Sequence, residues 1–380
     1  MTIVLTGATG YIGAYVANEL LNTTCDRLAL LVRATSTDAA RSRLWQAFQL
    51  HMTPTQFHQA LNRIDLYLGD MTQPRLGLSL QNWDRLVGST ESVIHAAAIL
   101  NRKSLQACHN VNVRGTLAVL KLARAAHCDH GLRRFSAIST TSVAGIRQNE
   151  VVTETDAIQW DRPDYDPYGA TKKLCEHLIQ ELLPDVPHVI FRPSTVLGDS
   201  RFPQTTQFDT ARAFALLNQV GVIPLQPDWQ IDIVPADYVG QAIATLHQKA
   251  QLSHTIYHLS AGIHSPTYQQ IVQCLATATQ GVSPLFLPPL RSPLTWLLQA
   301  LAATPRQWGI ARSATRLKVF MPYLTFNTVF DNTRITQELG TAPSPFITYA
   351  APLHRFLVEH NCQFPYQPWP ETDTGYALVD

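Results

Sequence analysis

Tyr168 and Lys172 stand four residues apart in Pro167-Tyr168-Gly169-Ala170-Thr171-Lys172. On a helix, positions i and i+4 project from one face, so this spacing brings a phenol and an ammonium within a few ångströms of each other. A fixed cation favours the phenolate and draws a tyrosine pKa down from its ordinary value of about 10, which makes the phenol a usable acid near neutral pH. That points to hydride chemistry, in which such an acid protonates an oxygen. The spacing alone is weak, because a chain with 12 tyrosines readily carries a Tyr-x-x-x-Lys on a solvated helix face by chance. Its weight comes from the residues that precede it.

Three further groups make the pair coherent. A strand read at 135–138 ends in Ser139-Thr140-Thr141-Ser142-Val143-Ala144-Gly145, which lays several hydroxyls along the carboxyl edge of a sheet, where open α/β sheets bind ligands. Phe191-Arg192-Pro193 follows another strand. At the start of the chain, residues 2–7 read as a short buried parallel strand, and Thr6-Gly7-Ala8-Thr9-Gly10-Tyr11-Ile12-Gly13 opens an apolar-periodic helix. Glycines three apart let the backbone turn tightly and approach a pyrophosphate, while a helix N-terminus supplies free N–H groups and a positive dipole end. Gly7, Thr9, Gly10, Tyr11, Ile12 and Gly13 are therefore candidate dinucleotide ligands.

The elements that must position these groups follow at βαβ intervals. Strands read at Leu28 to Arg33, Ile64 to Leu68, Ser92 to His95 and Phe135 to Ile138 give an α/β fold: a doubly wound parallel sheet (Rossmann) with a smaller, mostly helical C-terminal substrate domain. Residues 1–198 form the dinucleotide-binding half, with Ile231 to Val234 and Thr255 to Leu259 returning as strands to the main sheet. Residues 199–380 form the substrate-binding domain and tail. The second strand ends in Arg33, where an NAD-binding chain normally places an acid for the ribose hydroxyls, so NADP(H) is preferred over NAD(H). Arg43 is a candidate second clamp on the 2′-phosphate, with Arg41 as its substitute. Asp70 and Met71 close the third strand, with Asp70 a candidate contact to adenine. Ala96 and Ala97 are small enough to let a cofactor lie close, and His95 reads as structural. Asn112 reads equally as a core amide and as a direct participant.

Composition narrows the function classes. At 380 residues and 46% apolar content the chain can fill a sizeable core, and a net charge of +1 marks no nucleic-acid partner. The six cysteines are scattered, without Cys-x-x-Cys or His-Glu-x-x-His, so no metal site or disulfide framework is expected and a reducing, cytoplasmic setting fits. The N-terminus enters the glycine loop without room for a signal peptide, and no apolar run reaches the roughly 18 residues of a membrane span. Residues 238–330 contain no Asp or Glu but carry Lys249, Arg291, Arg306, Arg312, Arg316 and Lys318, a basic surface suited to a phosphate handle or an acidic carrier. Compositional drift is the plainer account of that run. The apolar stretch Ser292 to Leu301 reads as a short helix in core packing, with a lid over an acyl chain or a weak membrane-surface contact as the alternatives.

Taken together, these residues resemble the extended short-chain dehydrogenase/reductase superfamily. Within it they are most similar to the thioester reductase (male-sterility, fatty-acyl reductase-like) branch, found as terminal domains of carboxylic acid reductases and nonribosomal peptide synthetases. The likeness covers residues 3 to 262 and rests on Leu31-Val32-Arg33-Ala34, Gly69-Asp70 before Pro74-Arg75-Leu76-Gly77-Leu78, and His95-Ala96-Ala97-Ala98 leading to Asn112-Val113-Arg114-Gly115-Thr116. It rests also on Ile138-Ser139-Thr140, on Arg192-Pro193 leading to Gly198-Asp199-Ser200-Arg201, and on Asp232-Ile233-Val234-Pro235-Ala236-Asp237.

The resemblance implies roles. Thr140 would hold the substrate oxygen, with Thr141 and Ser142 as alternative hydroxyls; Tyr168 would donate the proton; Lys172 would bind the nicotinamide ribose and tune Tyr168. The backbone after Pro193, around Ser194 and Thr195, would meet the nicotinamide. The implied activity is NADPH-dependent reduction of an acyl thioester, bound to a carrier protein or to CoA, to an aldehyde or alcohol. With no adenylation or carrier domain before the glycine loop, the thioester would arrive in trans. Two alternatives keep the same cofactor: action on a free ketone, alcohol or nucleotide sugar, and a non-catalytic NADP-sensing regulator, which would have no need of an intact trio. The segment 280–326 and the tail from 361, with Phe364, Tyr366 and Trp369 among prolines, match no part of the branch pattern.

Overall fold

The computed structural model describes residues 1–216, 221–279, 281, 283–302, 324–325 and 327–370. Arg306, Arg312, Arg316 and Lys318 of the basic run lie outside the described residues.

Seven short runs rich in Val, Ile and Leu form the central sheet: Thr2–Thr6 (β1), Arg27–Val32 (β2), Ile64–Leu68 (β3), Ser92–His95 (β4), Arg134–Ile138 (β5), His188–Pro193 (β6) and Ile256–Leu259 (β7). They pair in the order β7-β6-β5-β4-β1-β2-β3, every pair parallel. Such strands are buried on both faces, so their side chains alternate between two cores rather than between core and water. Ile3 and Leu5 join the core beneath the helices Tyr11–Thr23 (α1), Thr37–Phe48 (α2) and Ala236–Gln248 (α5), while Val4 joins the opposite core with Arg114–His130 (α3) and Pro167–Leu182 (α4). The chain reverses its direction of travel across the sheet between β1 and β4, which opens a crevice at the carboxyl ends of those strands. This is the doubly wound Rossmann arrangement expected from the strand spacing.

One strand goes elsewhere. Ile256–Leu259 returns to the main sheet as β7, but Ile233–Val234 pairs with Thr195–Val196 in a separate two-stranded ribbon. The reason is occupancy: β7 already covers the free edge of β6 from Ile190 to Pro193, so the chain near 231–234 meets only the extension beyond Ser194.

Burial of a charged pair fixes the helix that carries the tyrosine and lysine. Arg192 on β6 donates through Nη2 to Glu176 Oε2 on α4 at 2.6 Å and through Nη1 to Thr155 O at 2.9 Å. Both members are almost wholly buried, at 4% and 1% side-chain exposure, so neither carries an uncompensated charge and α4 is held in one register against β6.

Beyond Leu197 a third apolar core forms from Phe214, Ile271, Leu275, Phe346, Leu353 and Leu357, on the helices Asp209–Leu216, Tyr268–Thr279 (α6) and Phe346–Glu359 (α7). The predicted helix near 292–301 is present as Arg291–Ala302, but Trp296 and Leu297 on it are 71% and 46% exposed. Core packing is therefore not what these two side chains do, because no element among the described residues covers them. No helix among the described residues is long and apolar enough to cross a membrane.

Candidate active site

The glycine loop is shaped by backbone contacts that leave no room for side chains. Gly7 has φ +80°, and a Cβ there would lie 2.6 Å from Ala97 N. A Cβ at Gly13 would lie 2.0 Å from Gly7 O, so α1 packs directly on the loop that precedes it. At the start of α1 no side chain caps the first turn and no acid lies within it, which leaves its N–H groups and dipole to an anion. These features fit a dinucleotide pyrophosphate.

Asp166 caps α4 by accepting from Gly169 N at 2.9 Å, and Pro167 follows at the first helical position, where its missing N–H costs nothing. With the helix started there, Tyr168 and Lys172 both face one cavity of about 320 Å³. Lys172 is buried and donates to Ile138 O at the end of β5, at 2.6 Å. Burial pulls its ammonium pKa below the usual lysine value, opposed by the nearby Cys175 and Glu176. Thr140 lies just beyond β5, where its Oγ1 accepts from Ser142 N at 3.2 Å. Gly7, Gly10, Tyr11, Ile12 and Gly13 line the same cavity, as do Ala96, Pro193 and Thr195. Thr141 and Ser142 line it too.

The remaining candidates lie outside this lining. Thr9 and Arg43 border a second groove on the outer side of the glycine loop. Arg43 donates to Arg33 O, and the Arg33 guanidinium lies 4.0 Å from Asp70 Oδ2 and is 72% exposed. Arg41 faces away, in a hollow with Asp65 and Arg85, so Arg43 is the arginine of the pair beside the loop. Met71 is buried against Gly115 on α3, where a Cβ on the glycine would meet Met71 Cε at 2.3 Å. Ala97 N donates to Thr6 Oγ1 at 3.3 Å.

His95 and Asn112 hold the frame. His95 Nδ1 lies 2.7 Å from Thr6 Oγ1 and its Nε2 lies 3.0 Å from Thr116 Oγ1. Burial first, and then Lys172, push its pKa down to about 3, so the imidazole stays neutral. Asn112 accepts from Ile99 N at 2.8 Å and donates to Thr171 Oγ1 at 3.2 Å, which ties the segment after β4 to α4 one residue from Lys172.

Two cavity residues had no role in the sequence reading beyond belonging to a motif. Ser139 is a lining residue whose Oγ is buried without a hydrogen-bond partner. Its place in the hydroxyl run was visible, but its lack of a partner was not. Asp232 accepts from Ser194 Oγ at 2.7 Å, Ala261 N at 2.8 Å and Phe330 N at 3.1 Å, so one carboxyl joins three segments behind the cavity. An acid set between Ile231 and Ile233 was the available signal.

Burial raises the Asp232 pKa to about 6, against the opposing pull of those donors. A carboxyl raised above its unfolded value favours the fold below about pH 4 and loses that contribution as pH climbs through the folded value. The urea midpoint of wild type minus that of Asp232→Asn should therefore narrow between about pH 4 and about 6 and level off above. A difference that widens with pH over this window would show the carboxylate, rather than the acid, to be the favoured form.

The family model described as male sterility protein matches residues 5–243. The chain is 30% identical over 271 residues to the isonitrile lipopeptide synthase of Mycobacterium tuberculosis, covering 64% of this chain and 11% of that protein. It is 27% identical over 286 residues to the carboxylic acid reductase of Mycobacterium marinum, covering 68% of this chain and 24% of that protein. The chain thus spans a small part of the length of these curated relatives. Among solved structures, the terminal R domain from the myxalamid PKS-NRPS biosynthetic pathway superimposes with a TM-score of 0.80 at 23% identity, covering 95% of this chain and 91% of that one.

Proposed function

Because the chain belongs to the male sterility protein family, an NAD-binding family, we propose that it is an NADPH-dependent reductase of acyl thioesters, presented on a carrier protein or on CoA, that yields an aldehyde or alcohol. The observation that carries this reading is the single cavity in which the glycine loop, Thr140, Tyr168 and Lys172 converge. The carboxylic acid reductase among the relatives supports the reaction class.

When bound, reduced nicotinamide supplies the hydride. The protein's part is to hold the carbonyl oxygen and move a proton. Thr140 Oγ1 and Tyr168 Oη stabilise the charge that develops on that oxygen, and Tyr168 Oη gives it the proton. Lys172, fixed by Ile138 O, holds the ribose beside Tyr168. The resulting hemithioacetal loses its thiol to leave the aldehyde. Arg33 and Arg43, adjoining through the Arg33 carbonyl, are the residues for the 2′-phosphate, and Asp70 beside Arg33 faces the adenosine end. Met71 and Ala97 contribute through the backbone, since the Met71 side chain is buried. Exposed Trp296 and Leu297 offer an apolar surface to an acyl chain or its carrier. The scattered cysteines, without Cys-x-x-Cys spacing, support a reducing, cytoplasmic setting.

The test is NADPH absorbance with a panel of acyl-carrier, acyl-CoA, free ketone and nucleotide-sugar substrates. Oxidation with the thioesters is expected. Oxidation confined to ketones or sugars would replace the thioester with the free-carbonyl reading, and none with any substrate would favour a cofactor sensor.

A further inference from the structure

The residues after the last helix leave the domain they belong to. Beyond α7, Asn361 and Cys362 both adopt left-handed φ, +50° and +52°, and the chain turns back on itself. It then lies along α2 and the Pro54–Leu61 helix of the cofactor half. Gln367 N donates to Gln49 Oε1 at 2.7 Å, and the Trp45 indole donates to Pro368 O at 2.7 Å. Trp369 meets Phe57 edge-on with ring centroids 5.8 Å apart, and His58 Nε2 lies 3.2 Å from Pro370 O. Four consecutive residues are thus each anchored to the opposite half of the molecule.

This anchoring delivers Tyr366 to a defined place. Tyr366 borders a groove of about 320 Å³ together with Thr9, Gly10 and Tyr11 of the glycine loop and Arg43 of α2. Its ring is braced edge-on by Phe364 at 5.0 Å and remains 50% exposed. Loop residues, a guanidinium and a phenol therefore face one space, and no carboxylate among the described residues lines it. That is the donor set a phosphate takes.

Resting on the reading of this site as one for NADP(H), we propose that the C-terminal strap is the outer wall of the cofactor's phosphate groove and that Tyr366 is a cofactor-binding residue. The strap holds the phosphate-bearing end of the dinucleotide against Thr9 and Arg43. Its anchors explain the aromatic and proline content of a tail that matched nothing in the family pattern: Trp369 seats it, and the prolines keep it extended.

The experiment is an NADPH titration of the full chain, read by nicotinamide fluorescence, in wild type, Tyr366→Ala, Tyr366→Phe and Trp369→Ala. Tyr366→Ala should raise the NADPH Kd about tenfold, the loss expected for a phosphate-facing hydrogen bond and its ring contact. Tyr366→Phe keeps the ring packing and should weaken NADPH more than NADH. Trp369→Ala borders no part of the groove but releases the strap from Phe57, and should weaken NADPH in the same direction. In wild type, NADPH should slow chymotryptic cleavage at Tyr366. Wild-type affinity in both alanine variants overturns the proposal. Failure of wild type itself to bind NADPH overturns instead the site reading on which it rests.

Discussion

Tyr168→Phe is expected to lower turnover by about 10²–10⁴-fold while NADPH affinity stays within about twofold of wild type. The substitution removes one oxygen and leaves the ring. Start and register of α4 come from Asp166, Pro167 and the buried Arg192–Glu176 pair, none of which it replaces. Lys172 should keep its bond to Ile138 O, because that contact depends on the position of β5 and not on the phenol. A lost proton donor therefore appears in kcat alone. Lys172→Met gives the contrast: it should lower turnover and also weaken NADPH, since the same ammonium is assigned to the ribose. Stopped-flow turnover beside a fluorescence titration separates the two. Loss of NADPH binding in Tyr168→Phe would remove the tyrosine from the role of acid and make it part of the cofactor seat.

Gly13→Ala should weaken NADPH on the order of 100-fold. The new Cβ would stand 2.0 Å from Gly7 O, 2.7 Å from Gly7 C and 3.1 Å from Ala8 Cα. All three atoms belong to the backbone or its Cα, so no flexible side chain can move aside. Either α1 withdraws or the loop opens, and both displace the first-turn N–H groups from the pyrophosphate. Gly88→Ala is the matched control. Gly88 is on the Leu80–Ser89 helix with nothing within 4 Å of an added Cβ, so affinity should not change. Equilibrium titration of both variants decides the matter: equal affinities would mean that the packing of α1 on the loop has no bearing on the cofactor.

The parts of the fold legible in advance were those whose signals are local. Ile64–Leu68 and Ser92–His95 occupy the expected residues because short runs rich in Ile, Val, Leu or Tyr, too short for a helix of ordinary length, favour an extended chain. The spacing of Tyr168 and Lys172 placed both toward one cavity because helical periodicity is a property of consecutive residues. Ile233–Val234 had an equally strong strand signal, yet its partner depended on whether β7 had already taken the edge of β6. Trp296 and Leu297 carried an apolar signal that cannot say whether anything covers them.

By itself, the sequence determined the chemistry on offer: a glycine loop at a strand end, a hydroxyl run at another, a phenol and an ammonium one helical turn apart, and an arginine where an acid would select NAD. These follow from residue type and near-neighbour spacing, where backbone geometry allows few outcomes. Tertiary structure alone decided which arginine stands beside the loop, that Asp232 gathers three distant segments, and that Tyr366 closes a groove opened by Thr9 and Arg43. Those choices depend on burial and pairing between residues up to hundreds of positions apart. The energy of such a contact is known only once competing partners have been placed.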